Sequence, residues 1–304
     1  RRLMISPADA ARLKNLELIA RTIVEGFLVG LHRSPFQGFS VEFSEYRPYQ
    51  PGHSPDQIDW RVFARTNRLY VRRYEEETNL QAYLLIDVSG SMRYPAHAPL
   101  KKLDYALLLA AALAYLLIHQ RDAVGLYLFD ERIRHYLPAR ARHTWLRRIF
   151  QTLEPYRGAA PEKAPTLLPQ TIHHVADRLK RRSFVILLSD FFIADDSPEP
   201  LLQSIARLHH AGHELLLIRI WDENTEKHFQ LPIEPLHLLN AEEPHEVKIH
   251  PIELAALYQN YITAYEEKLR RFCLGLKIDY LPIDLATSFF VPLYQYLLKR
   301  SRLL

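Results

Sequence analysis

An α/β fold built on a doubly wound, mostly parallel sheet is the architecture this sequence predicts for residues 80–304, on three observations. Short apolar runs at Gln81–Asp87 and Phe184–Ser189 read as strands buried on both faces. Helical patterns alternate with such runs from residue 80 onward. Gly and Pro signals punctuate the alternation, and no internal repeat interrupts it.

The elements follow in order. Residues 7–23 carry Leu13, Leu16, Leu18 and Ile19 at helical spacing, and Gly26, Gly30, Pro35 and Gly38 are expected to break regularity beyond them. Residues 39–46 alternate Phe39, Val41 and Phe43 against Ser40, Glu42 and Ser44, as a strand does. A turn signal at 48–52 and a second extended segment at 69–74 follow. Next come the strand 81–87, a long helix over 100–119, and strands at 123–129 and 133–137 about a turn at Asp130-Glu131. The second of these strands is expected to be antiparallel and at the sheet edge. Helices are predicted at 143–153 and 168–180, a strand at 184–189, a helix at 201–210 closed by Gly212, and a strand at 213–220. A hairpin excursion over 232–251, a helix over 252–272, a strand at 277–281 and a helix over 288–299 complete the chain. Residues 1–79 read as a leader with an N-terminal helix and β-rich segments, and residues 80–304 as the α/β domain.

Composition narrows the class. Of 304 residues, 48% are hydrophobic, enough for a core and against disorder. The single cysteine, Cys273, excludes an internal disulfide framework and fits a reducing compartment, so a cytoplasmic location is expected. A net charge of +4 with Arg-rich patches at 140–148 and 178–182 is explained by solvated helix faces, and no nucleic acid is expected as partner. The apolar run 105–118 is shorter than the roughly 20 residues a membrane span needs and is flanked by Lys101, Lys102, Asp104, Arg121 and Asp122. A buried helix is expected there, with no membrane span and no signal peptide in this chain.

The chemistry concentrates at Asp87-Val88-Ser89-Gly90-Ser91. In open α/β sheets ligands bind outside the carboxyl ends of strands, where these three oxygen side chains would sit. Oxygen-only donors suit hard cations such as Mg²⁺ or Mn²⁺. A serine-rich turn capping the next helix is the plainer alternative. Asp190 follows the buried run 184–189, and Thr166 precedes the helix near residue 168. Together Asp87, Ser89, Ser91, Thr166 and Asp190 offer an octahedral oxygen environment of few formal charges. Asp104 reads either as a water-mediated contact of the site or as a helix-start cap or solvated turn, Trp60 as an anchor of the leader, and Glu75-Glu76-Glu77 and Asp195-Asp196 as solvated segments.

The five oxygen residues resemble the metal-ion-dependent adhesion site of von Willebrand factor A domains, whose sheet is Rossmann-like. That resemblance implies hydroxyls on the ion, aspartates often acting through water, and a vacant position filled by an acidic side chain of a partner protein. The segments 43–52, Ile58-Asp59-Trp60-Arg61, Ala64-Arg65 and Leu69-Tyr70-Val71-Arg72 resemble the domain of unknown function 58 family, in which such a leader precedes a von Willebrand factor A domain. Membership implies a MoxR-type AAA+ ATPase as working partner. Two departures stand out. Gly52-His53-Ser54-Pro55-Asp56 replaces the usual Gly-Asp-Asp-Pro-Arg, and Thr166 follows Ala164-Pro165 instead of Gly-Gly. Loss of the glycines stiffens the loop that must aim Thr166.

The expected function is therefore a non-catalytic, divalent-metal-dependent protein-interaction module that presents a client to the ATPase. Two rival readings stand beside it. One is a Mg²⁺-dependent hydrolase or phosphotransferase with Asp87 as nucleophile, although such enzymes place a second carboxylate where this chain has Ser89. The other is nucleic-acid binding through the Arg-rich helices.

Overall fold

The computed structural model describes residues 5–32, 47–48, 70–71, 80–95, 98, 100–158, 164–179, 182–192, 197–230, 236–239, 246–249 and 251–301. The expectations for residues 39–46, for Trp60, for Glu75-Glu76-Glu77 and for Asp195-Asp196 lie outside the described residues.

The chain begins with helices α1 (Pro7–Arg12) and α2 (Leu16–His32). One helix was expected over 7–23. The break falls at Leu13, whose backbone is extended, and Asn15 restarts the helix by accepting the Leu18 N–H on its side-chain oxygen at 2.9 Å. The expected interruption at Gly26 and Gly30 does not occur. Burial explains why: Leu16, Ile19, Ala20, Ile23, Val24 and Phe27 form a continuous stripe at helical spacing that packs into the core. Tertiary burial there outweighs the roughly 1 kcal/mol that each helical glycine costs.

Short strands β1 (Arg47–Pro48) and β2 (Tyr70–Val71) pair antiparallel. The main elements then alternate: β3 (Gln81–Asp87), α3 (Lys102–His119), β4 (Ala123–Phe129), β5 (Ile133–Arg140), α4 (His143–Leu153), α5 (Leu168–Arg178), β6 (Phe184–Ser189), α6 (Glu199–His210) and β7 (Glu214–Trp221). A hairpin, β8 (Leu236–Leu239) with β9 (Glu246–Ile249), precedes α7 (Pro251–Gly275), β10 (Asp279–Asp284) and α8 (Phe290–Ser301). Six strands form one sheet in the order β10-β7-β6-β3-β4-β5, all parallel except the antiparallel edge strand β5. The fold class, the edge strand and the hairpin agree with the sequence reading, and Gly212 caps α6 at φ +90°.

Strand alternation sorts the core into two layers. Leu84 and Ile86 of β3 point into one layer with Leu126, Ile186 and Ile218, covered by α2, α3, α4 and α8. Tyr83 and Leu85 point into the other with Tyr127, Val185 and Leu217, covered by α5, α6 and α7. Helix α3 is apolar on all sides because it is enclosed, with the sheet on one flank and α2 on the other. Its length and composition would allow a membrane crossing, yet 83% of it is buried inside the protein. Gly125 lets β4 accept the Tyr83 ring, since a Cβ there would lie 2.3 Å from it.

Chain connectivity places the site. After β3 the chain builds β4 and β5 on one side, then returns to lay β6 on the other. The topological switch point therefore lies between the carboxyl ends of β3 and β6, where a crevice opens by rule.

Candidate metal centre

Asp87 ends β3 and is fully buried. Its Oδ1 accepts the Ser89 N–H at 3.0 Å, and its Oδ2 accepts the Ser189 hydroxyl at 2.8 Å and the Thr166 hydroxyl at 3.3 Å. The Ser89 and Ser91 hydroxyl oxygens lie 3.2 Å apart. Asp190 follows β6 and is also buried, and a hydrogen bond from Ser91 favours its charged form. All five sequence-predicted residues thus meet at the switch point. Asp87, Ser89 and Asp190 form its buried floor, while Ser91 and Thr166 are half-buried at its mouth.

The stiff Thr166 loop is aimed by backbone bonds rather than by glycine freedom. The Gly90 N–H donates to the Ala164 carbonyl at 2.8 Å, and the Leu167 N–H donates to the Asp130 carbonyl at 3.0 Å. Those two ties hold residue 166 between the loops that follow β3 and β4. Asp104 behaves as a cap: its Oδ2 accepts the Lys101 N–H at 3.3 Å, and its Oδ1 accepts the Gly158 N–H at 3.3 Å.

Electrostatics separates the two aspartates. Burial, and then the neighbouring charge of Asp190, push the Asp87 carboxyl up to about 6. Burial also opposes charge on Asp190, but the Lys102 ammonium outweighs it and holds that carboxyl below its ordinary value. Lys102 Nζ donates to Asp190 Oδ2 at 2.7 Å and to Glu226 Oε1 at 2.5 Å. Asp190 Oδ1 accepts the Phe192 N–H at 3.0 Å.

Sequence reasoning missed three members of this constellation. Lys102 counted only as a charge flanking an apolar helix, Ser189 only as the end of a strand, and Glu226 not at all. Two signals were present for the first two: a lysine opening a helix otherwise apolar all round, and a Ser-Asp pair ending a buried strand. Nothing local marks Glu226.

Among the described residues, no group of three or more His, Cys, Asp or Glu is placed to hold a metal. Any ion at this crevice would therefore rest on hydroxyls as well as carboxylates, a donor set of the kind hard cations take. A cavity of about 320 Å³ beside β7 and α7, lined by Trp221, Lys227, Ile262, Thr263, Glu266 and Arg270 among others, touches none of the five.

The family described as "Protein of unknown function DUF58" matches residues 45–269, more than half of the chain. The chain belongs to this family. Curated relatives include "Uncharacterized protein Rv1480" of Mycobacterium tuberculosis and "Uncharacterized protein Mb1516" of Mycobacterium bovis, each 30% identical over 224 residues, or 71% of this chain. This DUF58 chain spans 66% of the length of each. Similar solved structures include BatB from Bacteroides thetaiotaomicron (TM-score 0.44, 12% identity, 73% of this chain and 99% of that one). The SpRpn10 VWA domain is another (TM-score 0.38, 11% identity, 71% and 94%).

The expected cytoplasmic location is corrected here. A similar structure from Bacteroides fragilis (TM-score 0.46, 13% identity, 72% of this chain and 99% of that one) is named an aerotolerance-related membrane protein. Another, from Vibrio fischeri, is named an uncharacterized membrane spanning protein. The cytoplasmic expectation is withdrawn. Its basis was too narrow, because one buried thiol does not distinguish a cytosolic domain from one carried at a membrane.

Proposed function

We propose that this DUF58 chain is a non-catalytic protein-interaction module whose crevice takes a divalent cation, Mg²⁺ or Mn²⁺. The convergence of Asp87, Ser89, Ser91, Thr166 and Asp190 at the β3/β6 switch point carries the reading. The donors fit such an ion. Asp87 and Asp190 repel one another in a buried setting: burial first, and the Asp190 charge second, raise the Asp87 carboxyl, and a cation between them would relieve both. A hard ion would supply that positive charge on Asp87, Ser89, Ser91 and Thr166, with Asp190 behind them. The half-buried hydroxyls at the mouth suit an open position for a client's carboxylate. The family resemblance supports a MoxR-type AAA+ ATPase as the working partner.

The hydrolase reading is disfavoured because Ser89 stands where such enzymes place a second carboxylate, and because Asp87 is fully buried with three hydrogen bonds on its oxygens. The nucleic-acid reading is disfavoured because three arginines of the two patches are engaged at home. Arg140 stacks on Trp145, Arg178 stacks on Tyr136, and Arg182 pairs with Glu214 at 2.8 Å.

The test is capture of client and ATPase from lysate on immobilised protein in Mg²⁺ against EDTA, with the Ser89→Ala/Ser91→Ala variant alongside. Capture should require Mg²⁺ and be lost in the variant while its circular dichroism stays native. Equal capture in EDTA would refute the metal dependence.

A further inference from the structure

Lys102 opens α3 with a side chain only 1% exposed, so its ammonium has no water to replace lost partners. Both of its carboxylate partners come from far along the chain and from different strand ends. Asp190 follows β6, and Glu226 sits in the helical turn Glu223–Lys227 that follows β7. That turn is itself anchored. Glu226 Oε2 accepts the Asp222 N–H at 2.7 Å, the Tyr258 hydroxyl of α7 donates to the Glu226 carbonyl at 2.6 Å, and the Tyr94 hydroxyl donates to Thr225 Oγ1 at 2.7 Å. One ammonium therefore fastens the ends of two strands to the start of the central helix.

We propose that Lys102 is the built-in counter-ion of the crevice: it neutralises Asp190 in the ion-free protein and weakens the binding of a divalent cation by competing for that carboxylate. This rests on the reading of the crevice as a metal centre. The geometry supports competition. Asp190 has one oxygen on the Phe192 N–H and the other on the ammonium, so an incoming ion must share it with a cation already 2.7 Å away. Charge counting supports coexistence. Asp87, Asp190 and Glu226 bring three negative charges when ionised and Lys102 one positive, leaving a deficit that a divalent ion balances. Lys102 thus tunes affinity without excluding the ion. It keeps the unloaded site folded, because the buried Asp190 and the part-buried Glu226 would otherwise face each other with no cation between them.

The full chain with Lys102→Met keeps the stem length and removes the charge. Mn²⁺ binding is followed by electron paramagnetic resonance of free Mn²⁺, and melting temperature is recorded with and without the ion. The variant is expected to bind Mn²⁺ about tenfold more tightly than the wild type, since removing one nearby positive charge favours the ion. It should melt lower without Mn²⁺ and gain more from adding it. If the variant folds only when Mn²⁺ is present, the proposal also holds. Unchanged or weaker Mn²⁺ binding in a folded variant overturns it, as does a variant that no concentration of Mn²⁺ restores. Absence of Mn²⁺ binding in the wild type is a separate result that removes the metal reading first and this proposal with it.

Discussion

Two buried cations in this molecule sit in opposite electrostatic circumstances. Lys102, at the crevice, faces Asp190 and Glu226 with Asp87 close behind, so carboxylates outnumber it. Arg219, on β7, has one carboxylate, Glu266 Oε2 at 2.6 Å, which also accepts the Tyr280 hydroxyl at 2.7 Å. The Arg219 guanidinium lies 4.5 Å from the Trp221 ring centroid and 5.5 Å from that of Tyr265. In the second cluster the carboxylate is matched by Arg219 and, at 3.7 Å, by the exposed Arg270, and aromatic faces flank the guanidinium, so no negative charge is left over. The first retains an excess of negative charge at a place where the fold opens. A buried ion pair alone is thus no mark of function; an unbalanced one at a topological switch point is.

The largest effect should come from breaking the balanced pair. Arg219→Met leaves the part-buried Glu266 with only the exposed Arg270, 3.7 Å away, and breaking a buried pair of this kind costs up to about 3–5 kcal/mol. Chemical denaturation should show that deficit, and Mg²⁺ should not repair it. Repair by Mg²⁺ would mean the two clusters are electrostatically one.

The next effect belongs to the crevice. Saturating Mg²⁺ should raise the wild-type melting temperature, by about 2.7 kcal/mol of added stability at a hundredfold excess over the dissociation constant. EDTA should cancel the gain, and Ser89→Ala/Ser91→Ala should abolish it. A gain that survives in the variant would place the ion elsewhere.

A smaller change tests a helix that belongs to neither cluster. The Ser6 hydroxyl oxygen caps α1 by accepting the Asp9 N–H at 3.2 Å, so Ser6→Ala should cost about 1 kcal/mol by denaturation, with or without Mg²⁺. An ion-dependent loss would tie α1 to the crevice.

The smallest effect concerns Cys273, in α7 near the balanced cluster. Burial, and then the charge of Glu266, push its thiol up to about 12. The native thiol should resist a disulfide reagent at pH 8 and react on unfolding. Its folded pKa lies above its ordinary value near 9, so the contribution is intact below pH 9 and is lost as pH rises toward 12. Rapid labelling of the native protein at pH 8 would contradict that burial.

Legibility from the sequence varied by element. The strands β3, β4 and β6 were readable to the residue because a strand buried on both faces is a continuous apolar run with abrupt polar ends. The five oxygen residues were readable because two of those ends carry aspartates. The division of the first helix was not readable, because Leu13 continues the apolar spacing while its backbone leaves the helix. Helical continuation through Gly26 and Gly30 was likewise hidden, since it depends on packing against α3 and on the Phe290 ring that lies 3.5 Å from where a Gly30 Cβ would be.

Local pattern was sufficient for the layer architecture and the polar residues at the strand ends, because a strand buried on both faces must be an unbroken apolar run, which the order of residues alone reveals. The pairing of Lys102 with Asp190 and Glu226 was beyond it. Those residues lie 88 and 124 positions from Lys102, and contact arises only when the crossover connections lay β6 beside β3 and β7 beside β6. Charge balance in a buried crevice is a property of groups brought together in space, and no stretch of chain carries it.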